Sequence, residues 1–325
     1  MLRTVRLATL SAAASIVIVL ASLTAPLSAY ASEEPLSPCV ATDEQRAAYA
    51  EDGTLEERAA FQEGLDNDEP TAGLIQQAIA REQASNGIAT NAVPGNDGGM
   101  ATVGKAHVLA LRVSFPDEKF ETGDTLEALQ ALIGPRNEGE AALPSAGPYP
   151  YESLHAYYQR ASYGTLTITG EAVDYEAQHE RDYYTANIGQ LYKEALDHLE
   201  ASGVDLAQFD ANGDGRIDAV YLHFAGADTG WGSVWWSNEQ VLNVPDTTYA
   251  NGTVQLWNAV ALANPCDTAW AAQTMIHETG HVLGLPDYYQ YASQQGGSTG
   301  RTGILTFDIM MLNQGDHNGF SKWML

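Results

Sequence analysis

Five consecutive residues, His277-Glu278-Thr279-Gly280-His281, carry the clearest chemistry in this sequence. Residues four apart share one face of a helix, so both imidazoles can reach a single metal ion. Glu278, one position on, is close enough to hold a water there without ligating the metal. Two histidines bind zinc weakly, and a catalytic zinc needs a third protein ligand. Gly284 can end the helix in a left-handed turn and send the chain back under the metal. In Val282-Leu283-Gly284-Leu285-Pro286-Asp287 the aspartate then falls at the third-ligand offset of the long zinc motif, a carboxylate in place of the more familiar histidine. The bland alternative is two histidines on the surface of an ordinary helix.

Two further stretches belong with this one. Downstream lies Phe307-Asp308-Ile309-Met310-Met311, and zincins of the metzincin type place a methionine-containing turn beneath their zinc after the histidine helix. A methionine in an apolar run is otherwise core, but order and spacing favour Met310 as that turn residue. Upstream, Asp210-Ala211-Asn212-Gly213-Asp214-Gly215-Arg216-Ile217-Asp218 has oxygen ligands at positions 1, 3, 5 and 9 of a calcium loop. Glycine stands at position 6, and the Arg216 carbonyl would serve position 7. Position 12 is Tyr221 rather than the bidentate glutamate, so a regulatory calcium hand is excluded and any calcium would be structural. An acidic turn without an ion is the alternative.

The elements that must position these residues follow from composition and pattern. The chain has 325 residues, 45% hydrophobic and 9% aromatic, with 15 Lys+Arg against 42 Asp+Glu and a net charge of −27. That is a folded chain rather than an acidic disordered one, and its surface would repel nucleic acid. Residues 1–31 combine Arg3 and Arg6, an apolar run from Leu7 to Leu27, and Ala29-Tyr30-Ala31. They read as a secretory signal cut after Ala31, with an uncleaved anchor as the alternative. Its removal takes the charge to −29, and no later stretch could cross a bilayer, so the expected location is extracellular. Cys39 lacks the context of a lipoprotein anchor. The two cysteines, Cys39 and Cys266, make no disulfide framework.

Residues 32–103 read as a separate region. Thr42 to Ala84 is Glu-, Gln- and Ala-rich with helical spacing, and then dissolves into the Gly/Asn/Asp/Pro run of residues 91–99. A helical hairpin and a linker ahead of a new domain suit a prosegment; a spacer is the alternative. From residue 104 onward helix and strand alternate. The pattern predicts a buried strand at His107–Phe115, a helix near Thr125–Ile133, a Gly/Pro loop at 134–150 and a helix at 151–161. After these come a short strand bounded by Gly164 and Gly170, a helix over 187–201 and a strand at Ala219–Phe224. The motif helix is expected over Thr268–Leu283 with Asp267 as its N-cap. The class is therefore α/β or α+β.

Taken together these residues resemble the immune inhibitor A-type secreted zinc peptidases. The similarity runs from about Val108 to the last residue through VLALRVSFPD, YYQRASYGTLTITGEAVDY, FDANGDGRIDAVYLHFAG, HETGHVLGLPDYY and FDIMMLNQGDHNGFSKWML. The resemblance implies a metzincin-like zinc peptidase catalytic domain at 104–325, made as a zymogen and acting on extracellular proteins. Further C-terminal structure would be expected after Leu325. By motif matching, His277 and His281 take the zinc histidine positions, Glu278 the catalytic glutamate, Asp287 the third ligand and Met310 the turn methionine.

The expected reaction is hydrolysis of peptide bonds, with Glu278 as general base toward a zinc-activated water. Tyr288 or Tyr289 would assist the oxyanion or serve only as wall, and His317 is expected to be structural. One rival is a secreted, calcium-stabilised binding or adhesion module whose zinc site is inactive or structural. Another is a zinc hydrolase of non-peptide substrates. Three modes of prosegment inhibition stay open: a Cys39 thiolate on zinc, a Cys39–Cys266 disulfide, or a carboxylate or backbone block. All three predict activation by cleavage near 90–104.

Overall fold

The computed structural model describes residues 41–88, 100–134, 152–242, 244–263, 265–268, 270–289, 307–312 and 315–325. Residues 1–31, which the sequence reads as a secretory signal, Cys39, the run at 91–99 and most of the stretch 134–150 lie outside the described residues.

The N-terminal region forms three helices rather than a hairpin: α1 (Asp43–Asp52), α2 (Leu55–Glu63) and α3 (Ala72–Ser85). Thr42 starts α1 with a reciprocal cap. Its Oγ1 accepts from Gln45 N at 3.2 Å while Gln45 Oε1 accepts from Thr42 N at 2.9 Å. Gly53 ends α1 at φ 81°, a left-handed conformation that glycine adopts without steric cost. Thr71 Oγ1 caps α3 by accepting from Leu74 N, without the reciprocal bond, since Leu74 has no polar side chain to return it.

The rest of the chain is mixed α/β. Strand β1 (Gly104–Ser114) leads to α4 (Leu126–Ile133) and α5 (Leu154–Ala161), then to β2 (Leu166–Glu176), α6 (Arg181–Thr185) and α7 (Ile188–Ala201). After a short 3₁₀ turn come β3 (Val220–Phe224), β4 (Asn238–Val241), the small ribbon β5 (Thr248–Tyr249) and β6 (Val254–Gln255), and β7 (Asn258–Leu262). Helices α8 (Ala271–Val282), α9 (Ile309–Leu312) and α10 (Gly319–Met324) complete the described chain.

The main sheet has the order β2-β1-β3-β7-β4. The β1–β2, β1–β3 and β3–β7 pairs are parallel, while the edge strand β4 runs antiparallel to β7. Side chains alternate across β1. Val108 and Ala110 face a core shared with α4, α5 and α8, whereas Leu109, Leu111 and Val113 face a second core shared with α7. A strand covered on both faces must be apolar almost throughout, and all five residues of β3 are buried. Each fully buried leucine of β1 contributes roughly 1.5–3 kcal/mol relative to exposure.

Two further sequence expectations need correction. Strand β2 does not stop at Gly170; it continues to Glu176 and pairs with β1 along its whole length. Gly170 is there because a Cβ would stand 2.6 Å from the Val108 carbonyl oxygen across the ladder. Helix α8 starts at Ala271 rather than Thr268, with Trp270 and not Asp267 at its N-cap. A turn in which Thr268 N and Oγ1 both donate to the Pro265 carbonyl delays the helix. No helix among the described residues is long and apolar enough to cross a membrane.

Candidate metal centre

Helix α8 is buried along its entire length. Ala271, Ala272, Met275 and Ile276 anchor it in the core beside α5, so its polar residues must find partners inside the protein. Thr279 Oγ1 meets Tyr221 Oη at 2.7 Å and donates to the Met275 carbonyl at 2.6 Å. Gly284 takes φ 95°. Leu285 N returns to the Gly280 carbonyl at 2.9 Å, so the expected left-handed turn closes the helix and directs Asp287 back toward it.

His277, His281 and Asp287 therefore converge. The two Nε2 atoms are 3.2 Å apart, and Asp287 Oδ1 lies 3.2 Å from His277 Nε2 and 3.4 Å from His281 Nε2. Each ring is oriented from behind. His277 Nδ1 faces the Ile309 carbonyl at 2.9 Å and His281 Nδ1 faces the Leu285 carbonyl at 2.8 Å. A carbonyl only accepts, so each Nδ1 is held as the donor and each Nε2 is the nitrogen turned to the common centre. With Glu278 beside them, the histidines form a buried group able to hold a metal ion.

Glu278 is 5% exposed. Burial pushes its carboxyl up to about 8, opposed by His277 and by the Glu239 backbone N–H that bonds it, and reinforced by the charges of Asp287 and Glu239. Met310 packs against the back of α8. A Cβ on Gly280 would collide with Met310 Sδ, so the methionine packs against the helix at Gly280, next to His281. Asp308 ties this segment down, accepting from Met310 N at 3.0 Å, Asn318 N at 2.9 Å and Ser321 Oγ.

His317 stands between Tyr157, Tyr158 and Asp308, behind α8 rather than in the metal group. Of the two tyrosines, Tyr288 turns its hydroxyl to Ser321 at 2.9 Å, while Tyr289 lines the cleft over the histidines.

That cleft holds residues no motif marked. Trp236, Ser237 and Asn238 line it from the start of β4, and Gln62, Leu65 and Asn67 from the N-terminal region. The Asn67 carbonyl accepts from Asp287 N at 2.7 Å, and its Nδ2 donates to the Glu239 carbonyl at 3.1 Å. Thr71 N donates to the Gly284 carbonyl at 3.0 Å. Glu239 itself is 5% exposed, and burial raises its carboxyl to about 7 against the pull of His281.

The acidic loop folds on its own carboxylates. Asp210 Oδ1 accepts from Gly213 N and Asp214 N, Asp210 Oδ2 from Gly215 N, and Asp214 Oδ1 from Arg216 N. Asn212 Oδ1 accepts from Asp214 N at 3.0 Å. Asp218 Oδ2 ties the loop to β1 through His107 N at 2.7 Å and Ala211 N at 3.2 Å. Its Oδ1 is buried with no hydrogen-bond partner. Burial, with Asp210 and Asp214 nearby, raises this carboxyl to about 7.

Compared with models of known protein families, the chain matches none. No curated protein matches it.

Proposed function

We propose that this chain is a secreted zinc endopeptidase of metzincin type, made as a zymogen, as its resemblance to the immune inhibitor A-type family implies. The observation that carries the reading is the convergence of His277 Nε2, His281 Nε2 and Asp287 Oδ1 beside buried Glu278. Two imidazoles and one carboxylate, with room for a fourth position, are a donor set suited to catalytic zinc. Zinc, when bound, supplies Lewis acidity that polarises the scissile carbonyl and lowers the pKa of water at the site.

The chain's own residues do the remainder. The Ile309 and Leu285 carbonyls hold both imidazoles in the tautomer that ligates. Glu278 takes the proton of the attacking water and delivers it to the leaving amine. The edge strand β4 offers main-chain groups to an extended peptide, which adds to it as a further strand.

The N-terminal region supports latency by a backbone block. Asn67 bonds both Asp287 N and the β4 main chain, where a substrate would lie. A structural calcium in the 210–218 loop is supported by the unsatisfied Asp218 Oδ1, which an ion held also by Asp210, Asn212, Asp214 and the Arg216 carbonyl would satisfy.

The test is Glu278→Gln in the chain cut between residues 90 and 104. Bound zinc with caseinolysis reduced at least about 10²-fold is expected, the scale of a lost general base. Undiminished proteolysis would reject the reading, and a parent chain that binds zinc but cleaves no protein would favour the binding-module alternative.

A further inference from the structure

Outside the cleft, three chemically unlike side chains meet at the carboxyl ends of three neighbouring parallel strands. Asp124 lies in the segment after β1, His223 on β3 and Cys266 in the segment after β7. They are 4%, 1% and 3% exposed, and one ligand atom from each falls within 4.8 Å of the others. This end of a parallel sheet is where loops converge and ligands bind.

The geometry is that of donors aimed at one point. Asp124 Oδ2 is 2.7 Å from His223 Nε2, and Asp124 Oδ1 accepts from Cys266 N at 3.3 Å. His223 Nδ1 faces the Leu262 carbonyl at 3.2 Å. That carbonyl fixes the Nδ1 proton and leaves Nε2 turned to the cluster, the same orientation from behind that His277 and His281 receive. The ring is also held in place by Phe120, stacked on it at 5.1 Å, with the Arg112 guanidinium 4.1 Å above the far ring. Arg112 in turn donates to the Asp124 carbonyl through Nε and Nη2. The scaffold therefore pins both the imidazole and the backbone of the carboxylate residue.

We infer that Asp124, His223 and Cys266 form a second, structural zinc site that ties the chain entering α8 to the sheet. Thiolate and imidazole donors suit zinc and exclude calcium or magnesium, which take oxygen. Zinc would take the place of the thiol proton and the proton shared between His223 and Asp124, two protons for one divalent ion, so the buried group keeps its net charge while coordination replaces its hydrogen bonds. The site contains no residue of the cleft, so it stands independently of the peptidase reading.

The two metal groups differ in sulfur, and cobalt(II) reports the difference. The full-length chain carrying Cys39→Ser, reduced and stripped by chelator, is titrated with cobalt(II). One equivalent with thiolate-to-cobalt charge-transfer absorption is expected. That absorption should persist in His277→Ala, disappear in Cys266→Ser and require at least about tenfold more cobalt in His223→Ala or Asp124→Asn, as when a zinc ligand is lost. Zinc content gives a reading without stripping: the purified parent should hold one zinc more than Cys266→Ser. Cobalt binding without thiolate absorption, equal zinc in parent and Cys266→Ser, or a Cys39–Cys266 disulfide in the purified parent would each overturn the site and leave a hydrogen-bonded network only.

Discussion

Asp287 is the residue on which the proposed zinc affinity turns. Its Oδ1 closes the triangle with both Nε2 atoms, and its own N–H is held by the Asn67 carbonyl. Asp287→Ala removes a ligand while leaving both histidines oriented by their carbonyls, so zinc affinity should fall tenfold or more. Dialysis against a weak chelator followed by zinc analysis measures this, and an unchanged stoichiometry would remove Asp287 from the ligand set. Gly280 poses the opposite problem, too little room. An added Cβ would meet Met310 Sδ at 2.3 Å, so Gly280→Ala should destabilise the fold by about 1–3 kcal/mol through overpacking, despite the better helix propensity of alanine. Chemical denaturation reads the sign directly.

Two elements carry measurable loads of their own. The acidic loop leaves Asp218 Oδ1 unsatisfied against β1. Calcium binding to the native state alone should raise the melting temperature with calcium concentration. Asp210→Ala should abolish that increment in millimolar calcium, and a parent Tm indifferent to calcium would refute the ion. At the other end, Asp316 joins α10 to α5. Burial raises its pKa, but Lys322, Tyr157 and Arg160 outweigh this and hold it down to about 2. A carboxyl lowered in the folded state contributes stability above its unfolded pKa, near 4, and loses it as pH falls toward 2. Asp316→Asn should therefore lower Tm at pH 7, with the difference from the parent vanishing at the acid end of that window. A difference independent of pH would show that the ion pairs are not its source.

For the whole molecule, the N-terminal region grips the domain behind it outside the cleft as well as at Asn67 and Thr71. Arg58 Nη1 donates to the Trp231 carbonyl at 2.8 Å, and Gly230 and Gly232 are glycines where a Cβ would collide with Tyr49 and Arg58. Farther along, Leu74 enters the core that holds Met100 and Met324. Cutting between residues 90 and 104 would leave these contacts in place at first, so under the proposed latency activation would require the cut segment to dissociate. Arg58→Ala should weaken that hold and give the uncut chain several-fold higher basal proteolysis, measured on a quenched peptide. Equal activity of uncut and cut chains would make residues 32–103 a spacer.

The sequence by itself determined what depends on neighbours along the chain. The i, i+4 histidines, the Gly284 turn that aims Asp287 and the buried apolar strands β1 and β3 all rest on local spacing, and the structure has them close to where spacing put them. Local signals failed where a distant partner decided. Gly170 reads as a strand end, yet it is the point where β1 approaches. Asp267 reads as a cap, yet the turn after Pro265 postpones the helix. Glu239, Asn67 and the Asp124–His223–Cys266 group belong to no motif, because the hydrogen bonds that join them link residues 172, 99 and 142 apart in the chain. Only the sheet order, which sets β4 beside α8 and brings β1, β3 and β7 together, makes them neighbours.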